Sequence, residues 1–154
     1  QGGGQAIAAA GLDPRVTFIS SGVPAICDHS GGAIGRINGW PKLVPNGPDG
    51  KPDAKILEVA RYFDGMNFAT RTKAEAIFSV GFIDVTCAPT SVYAMYNNYS
   101  GPKQMIEKPL MGHAQPRDVS EAMHKALWEH IRRMKEEKSK GMSLSALGNN
   151  SHNL

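Results

Sequence analysis

The stretch Gln1-Gly-Gly-Gly-Gln-Ala-Ile-Ala-Ala-Ala-Gly-Leu12 decides how the rest of the chain is interpreted. Residues 6–10 are apolar on almost every face, which predicts a short helix that is buried on all sides. Gly11 can adopt the left-handed cap and Pro14 cannot continue a helix, so we expect this helix to end near Ala10. The glycines at its start allow close packing against a neighbouring strand. Such a helix needs a strand before it, which indicates the interior of an α/β sheet.

Short strand patterns alternate with helical patterns along the rest of the chain. Strands are predicted at 16–20, 74–80 and 103–108, and helices at 53–63, 89–99 and from 118 onward. Asp53 is the predicted cap of the first of these helices, and Asp118 with Glu121 fits a capping box for the last. This alternation predicts a parallel sheet with helices on both faces. Three strands are few for such a sheet, so we expect the front of the domain to lie outside this sequence.

The length and composition suit one globular domain. The chain has 154 residues, 41% hydrophobic and 20% charged, which is ordinary for a domain of about 100–150 residues. Glycine and proline interrupt regular periodicity from Pro24 to Pro52, and we interpret 26–54 as an insertion over the active-site end of the sheet. Residues 1–140 are assigned to the domain, and 141–154 to a frayed polar tail.

Several partner classes do not fit the sequence. The net charge is +3, and the basic run at 132–140 contains acids and no interleaved aromatic residues, which predicts a solvated helix end rather than a nucleic-acid surface. No run reaches the ~18 apolar residues of a membrane span. Two cysteines, Cys27 and Cys87, are too few for a disulfide framework or a zinc site. No cofactor and no metal are expected, because four histidines show no ligand spacing: His29, His124, His130 and His152.

Three residues fall where an α/β sheet binds its ligands, beyond the carboxyl ends of strands. Gln1 starts the first helix, Asp84 follows the middle strand and His113 follows the last one. Acid then histidine is the order of an α/β-hydrolase triad, in which the serine comes first on a nucleophile elbow. Gln1 would then follow that serine, with its backbone N–H as an oxyanion donor. Each residue alone also fits a plainer role, Asp84 as a helix cap or turn former and His113 as part of a surface turn.

Whole segments sharpen this interpretation. They are Gln1-Gly-Gly-Gly, Ala10-Gly-Leu-Asp-Pro-Arg15, Tyr62-Phe-Asp-Gly-Met-Asn-Phe-Ala69, Ser79-Val-Gly-Phe-Ile-Asp-Val-Thr-Cys-Ala-Pro-Thr-Ser91, Tyr93-Ala-Met-Tyr-Asn97 and Met111-Gly-His-Ala114. Together they resemble the acetyl xylan esterase/cephalosporin C deacetylase family of α/β-hydrolases (carbohydrate esterase family 7 and its relatives). The family pattern G-x-S-Q-G-G matches from its Gln onward. V-G-x-x-D-x-x-C-P-P-S/T matches with Ala88 in place of the first proline. The resemblance covers roughly 1–116.

The resemblance implies the C-terminal half of an α/β-hydrolase with a serine esterase activity. Its expected substrate is acetylated carbohydrate such as xylan fragments, deacetylated through an acyl-enzyme. It implies Asp84 as the triad acid, His113 as the base and Gln1 as an oxyanion donor. The serine would lie upstream in the N-terminal half of the same domain, so this chain alone is expected to be inactive. Localisation would follow from that half: secreted or periplasmic with a signal peptide, otherwise cytoplasmic. Homo-oligomerisation stays open.

Other residues and functions remain as alternatives. Trp40 fits stacking on a sugar ring or an aromatic plug, Cys87 fits a small packing residue near the site, and Asp64 fits a structural role or a pocket contact. Whether Cys27 lies near Cys87 is open. Four serines sit in strands or a helical turn without an elbow, and are not expected to be nucleophiles: Ser20, Ser21, Ser79 and Ser91. The alternative functions are a hydrolase of other acyl specificity, dienelactone hydrolase- or oligopeptidase-like, or an incomplete fragment that folds only with a partner chain.

Overall fold

A three-stranded parallel sheet organises the structure, a computed structural model that describes the backbone of residues 1–149 and the side chains of residues 1–140. The strands are β1 (Phe18–Gly22), β2 (Glu75–Gly81) and β3 (Lys103–Lys108), in spatial order β1-β2-β3. The α-helices are α1 (Gly2–Leu12), α2 (Ala54–Ala60), α3 (Gly65–Ala69), α4 (Pro89–Asn98) and α5 (Arg117–Asn149), with 3-10 turns at Gly31–Ile34 and Arg61–Phe63.

Alternate strand residues face opposite helix layers. Ile19, Ala76 and Phe78 pack in one cluster with residues of α1, α3 and α4. Ile77, between the last two, packs against Val119 of α5. This period of two buries both faces of the sheet, as a parallel sheet requires. The predicted architecture, a parallel sheet flanked by helices, is confirmed.

The first helix differs from the prediction at its end. It continues to Leu12 and is closed by the Asp13 N–H, which donates to the Ala9 carbonyl at 2.9 Å. Gly11 therefore stays helical and does not form the predicted left-handed cap. The absence of a side chain serves packing instead, because a Cβ there would meet the Phe68 carbonyl oxygen at 2.6 Å. Close packing against Phe68, rather than helix capping, is therefore the reason for a glycine at position 11.

The remaining boundaries follow the sequence closely except at α5. β1 and β2 are displaced by one to two residues, and the Asp53 carboxylate caps α2 by accepting from two backbone N–H groups. The capping box is wrong, because α5 already begins at Arg117 and Asp118 lies inside its first turn. Asp118 instead pairs with Lys108, and Glu121 with Arg117 at 2.7 Å.

The C-terminal helix also extends further than the sequence indicated. Gly141 does not end it, and the backbone stays helical through Asn149. A helical glycine costs only about 1 kcal/mol relative to alanine, and no proline follows to stop the helix. The rest of the predicted tail, 150–154, lies outside the described residues. Among the helices of residues 1–149, none is both long and apolar enough to span a membrane.

The predicted insertion is folded around one buried carboxylate. Asp64, the N-cap of α3, accepts hydrogen bonds from the backbone N–H groups of Asp28 at 2.9 Å, His29 at 2.8 Å and Met66 at 2.9 Å. The Gly65 N–H donates to the Ile26 carbonyl at 2.6 Å. These bonds tie the start of the insertion to α3, so the loop takes a defined path, which includes the 3-10 turn at Gly31–Ile34.

Candidate active site

Asp84 sits in a tight turn beyond the carboxyl end of β2. Asp84 as a whole is 2% exposed, and its backbone N–H donates to the Gly81 carbonyl at 3.2 Å. One carboxylate oxygen, Oδ1, accepts from the N–H groups of Thr86 at 2.8 Å and Cys87 at 2.9 Å. These bonds leave the second oxygen, Oδ2, free to face another partner. The turn thus fixes both the position and the orientation of the carboxylate.

His113 lies in the loop after β3, and its side chain contacts the second carboxylate oxygen of Asp84. Its Nδ1 lies 2.9 Å from Asp84 Oδ2. A carboxylate accepts and does not donate, so Nδ1 carries the proton and Nε2 is the basic nitrogen. The His113 side chain is 42% exposed, whereas that of Asp84 is fully buried. A buried acid holding an accessible imidazole in one tautomer is the arrangement of a general base.

Gly81 lets the two loops approach one another. A Cβ at this residue would collide with the Met111 carbonyl oxygen and lie 2.7 Å from that of Gly112. The Ile83 N–H also donates to the Met111 carbonyl at 3.2 Å. The turn that carries Asp84 and the loop that carries His113 are therefore held together by backbone contacts, and the side-chain pair depends on them.

A small cleft of about 180 Å³ lies beside this pair. It is lined by Gln1, Ala25, Trp40, Thr86, Cys87 and His113. Gln1 is the N-cap of α1, so the cleft borders a helix N-terminus, where backbone N–H groups favour negative charge. Trp40 comes from the insertion and is 36% exposed. The structure therefore brings Gln1, Trp40 and Cys87 to the same place as the acid and the histidine.

Asp64, the remaining candidate pocket residue, does not line this cleft. It is 2% exposed, and both of its oxygens are engaged by backbone N–H groups of the insertion and of α3. Of the two roles that the sequence left open, this geometry favours the structural one. Its contribution is to hold the insertion that carries Trp40.

The two cysteines are free and buried. Burial, and next the charge of Asp84, raise the pKa of the Cys87 thiol to about 11. Burial also raises the pKa of Cys27, and its thiol donates to the Ala25 carbonyl at 3.2 Å. Asp64, Cys87 and Asp28 add to this rise in the pKa of Cys27. Neither is a thiolate at neutral pH, so neither acts as a nucleophile there.

The four serines considered in the sequence analysis do not bond to the histidine. Within residues 1–140, His113 forms no hydrogen bond to a serine hydroxyl. Ser21, Ser79 and Ser91 are buried, and the Ser79 hydroxyl accepts from the Val23 N–H at 3.2 Å. Sequence reasoning missed Ala25 and Thr86 as cleft residues, because neither side chain carries a chemical signature. Thr86 is detectable only as a neighbour of Asp84 within the D-x-x-C motif.

A parallel sheet that bears an acid and then a histidine beyond successive carboxyl ends, with a helix N-terminus beside them, defines an α/β-hydrolase. Comparisons with known proteins identify the family within this class. The chain belongs to the acetyl xylan esterase (AXE1) family, a family of carboxylic ester hydrolases, whose model matches residues 1–129.

Individual relatives agree with this family. The chain is 32% identical over 113 residues to acetyl esterase Axe7A of Xylanibacter ruminicola, covering 73% of this chain and 25% of that protein. It matches the solved acetyl xylan esterase from Paenibacillus sp. R4 with a TM-score of 0.72 and 30% identity, over 84% of this chain and 42% of that one. Acetyl xylan esterase 1 from Thermoanaerobacterium sp. JW/SL YS485 matches with a TM-score of 0.69 and 27% identity, over 81% and 41%. The chain thus spans a quarter to two fifths of the length of these relatives.

Proposed function

We propose that this chain supplies the acid and the base of a serine acetylesterase that removes acetyl groups from carbohydrate. The observation that carries the proposal is the 2.9 Å bond between His113 Nδ1 and Asp84 Oδ2 beside the cleft at the start of α1. Asp84 holds the imidazole in the tautomer whose Nε2 can accept a proton. Its negative charge then stabilises the imidazolium that results. Two backbone N–H bonds to the other oxygen keep the carboxylate in place.

The reaction then follows the acyl-enzyme route. His113 Nε2 takes the proton of a serine hydroxyl as its oxygen attacks the acetyl carbonyl carbon. The negative charge on the carbonyl oxygen is stabilised by the Gln1 backbone N–H at the start of α1. The C–O bond to the sugar breaks, and the imidazolium returns the proton to the leaving alcohol. Water, activated by the same histidine, releases acetate from the serine.

The serine comes, in this proposal, from a strand that precedes Gln1 and pairs with β1. In the described sheet β1 has a neighbour on one side only, β2. Parallel sheets have both faces covered, and open strand edges are normally paired or shielded. Large apolar side chains are also more than half exposed outside the cleft: Leu12, Val59, Tyr62, Phe63 and Trp128. An N-terminal half of the same domain would cover such surface, and the chain without it would be inactive.

The acetyl-carbohydrate specificity rests on the relatives and on the shape of the cleft. Three proteins that match 73%, 84% and 81% of this chain are named an acetyl esterase or acetyl xylan esterases. The cleft of about 180 Å³ is small beside ligand pockets of about 300–1,000 Å³, which suits a two-carbon acyl group. Trp40 at its border offers an aromatic face on which a sugar ring can pack.

Labelling with a fluorophosphonate tests the proposal, because this reagent phosphonylates activated serines. The 154-residue chain should remain unlabelled, and a chain extended upstream of Gln1 should be labelled at the serine immediately before it, as found by peptide mass mapping. The extended chain should also hydrolyse p-nitrophenyl acetate faster than the butyrate. Labelling of Ser20, Ser21, Ser79 or Ser91, or hydrolysis that His113→Ala leaves unchanged, would refute the proposed mechanism.

A further inference from the structure

Asp84, Cys87 and His113 place three different metal-ligating groups at one end of the sheet. A carboxylate oxygen, the Cys87 sulfur and an imidazole nitrogen all lie within 4.8 Å of one another. Around tetrahedral zinc, bond lengths of about 2.0–2.3 Å put neighbouring donors about 3.3–3.8 Å apart. Movement of about one ångström would therefore bring the three donors into coordination distance.

Two of the three donors belong to one rigid turn. Asp84 Oδ1 accepts from the Cys87 N–H at 2.9 Å, and both residues are at most 2% exposed. The carboxylate and the thiol are thus held near each other by the backbone, with Oδ2 on the side of His113. The third donor is adjustable, because the His113 side chain is 42% exposed. Because Asp84 and Cys87 are held in place and His113 can move, the three side chains can coordinate an ion with little conformational strain.

The cleft supplies room for a fourth ligand. Cys87 and His113 both line it, together with Trp40 and Gln1. A volume of about 180 Å³ exceeds the ~30 Å³ that one water molecule occupies in the liquid. One oxygen, one sulfur and one nitrogen donor with an open position suit zinc, whereas magnesium and calcium prefer oxygen ligands alone.

We propose that Asp84, Cys87 and His113 form a binding site for a thiophilic divalent cation, above all zinc, which blocks the acid–base pair. On binding, the ion loses water molecules and forms a bond to the Cys87 sulfur, whose proton passes to the solvent; nothing is oxidised or reduced. Coordination through Nδ1 of His113 would move its proton to Nε2 and break its bond to Asp84, whereas coordination through Nε2 would remove the proton acceptor. Binding itself needs no ester chemistry, so this inference goes beyond the proposed function.

Cobalt and zinc titrations of the purified protein test the site. Co²⁺ should produce a sulfur-to-metal charge-transfer band in the near ultraviolet, and one equivalent of Zn²⁺ per chain should remove it. Cys87→Ser should abolish the band and weaken zinc binding by more than about tenfold, measured by competition with a chromophoric chelator. Cys27→Ser is the matched control, because Cys27 is also a buried free thiol, and should keep the band.

Three results would overturn the proposal. They are an absent cobalt band in the unmodified protein, a band that Cys87→Ser retains, or a band that Cys27→Ser removes. Circular dichroism checks that each variant folds. If Cys87→Ser does not fold, His113→Ala decides, since that side chain is 42% exposed, and unchanged zinc affinity in that variant refutes the site. Absence of esterase activity in a zinc-free chain extended upstream of Gln1 would count against the proposed function and leave the metal titration unaffected.

Discussion

Replacing Asp84 by asparagine should reverse the tautomer of His113. Oδ1 of Asp84 accepts two backbone N–H bonds, at 2.8 and 2.9 Å. The amide oxygen of asparagine must take that position, because an NH₂ group there would face two donors. The NH₂ group then faces His113 and donates to Nδ1, which moves the imidazole proton to Nε2. The base nitrogen is thereby blocked, although the shape of the side chain is preserved.

The magnitude follows from the loss of the reactive tautomer. In an esterase that contains the serine, kcat should fall about 10⁴-fold, which corresponds to about 5.4 kcal/mol of transition-state stabilisation. The assay is p-nitrophenyl acetate hydrolysis, and the ring-nitrogen chemical shifts of His113 report the tautomer in this chain without any catalysis. Asp49→Asn is the control, because Asp49 accepts a backbone N–H from Lys51 and forms no hydrogen bond to a histidine within residues 1–140. Turnover within tenfold of the unmodified enzyme, or an Nδ1–H tautomer in Asp84→Asn, would refute the reasoning.

The remaining predictions concern stability and reactivity. Gly81→Ala should lower the free energy of unfolding by about 1–3 kcal/mol, because its Cβ collides with the Met111 carbonyl; Gly2→Ala, where a Cβ meets nothing within 4 Å, should not destabilise in the same denaturant titration. Asp64→Ala leaves three backbone N–H groups without their acceptor and should cost about 3 kcal/mol, with faster amide exchange at Asp28 and His29. Asp53→Ala, which removes a half-buried cap, should cost about 1 kcal/mol, and an equal loss in both variants would contradict the anchoring role. Cys87 should react with iodoacetamide far more slowly than an unfolded thiol at pH 8, since its pKa is about 11 and the thiolate is the reactive form. Because this pKa is raised on folding, the thiol favours the folded state fully below the unfolded pKa of about 8.5, and this contribution declines as pH rises towards 11; labelling of native Cys87 as fast as in denaturant, followed by mass spectrometry, would contradict its burial.

Much of the fold was predictable because the relevant signals are local. β3 and α4 begin where strand periodicity and Pro89 place them, and Asp53 caps α2 as its spacing predicts. The site pair was predictable in part, since Asp84 and His113 each follow a strand, and parallel strands end at one edge of a sheet. Such reasoning locates a residue along the chain and at an edge of the sheet. It does not measure the distance between two loops.

Other features depend on contacts between residues far apart in sequence. Asp118 and Glu121 satisfy the local rule for a capping box, yet Asp118 pairs with Lys108 on the preceding strand, so a tertiary partner determines its role. Gly11 satisfies the rule for a cap and serves a contact with α3 instead. Local rules name the conformations that a residue allows, whereas packing selects one of them.

The sequence by itself determined the alternation of strands and helices, the order of acid and histidine, and the family, because these depend on the identities of residues and on their spacing along the chain. Tertiary structure alone decided which side chains share the cleft. Trp40, which belongs to the insertion, lines the cleft. Asp64 lies outside the cleft and anchors the insertion. The Cys87 sulfur lies within 4.8 Å of a carboxylate oxygen of Asp84 and of an imidazole nitrogen of His113. The physical reason is that distances of a few ångströms across loops are set by sheet register and by close backbone contacts such as the one at Gly81, and none of these is a property of any short segment.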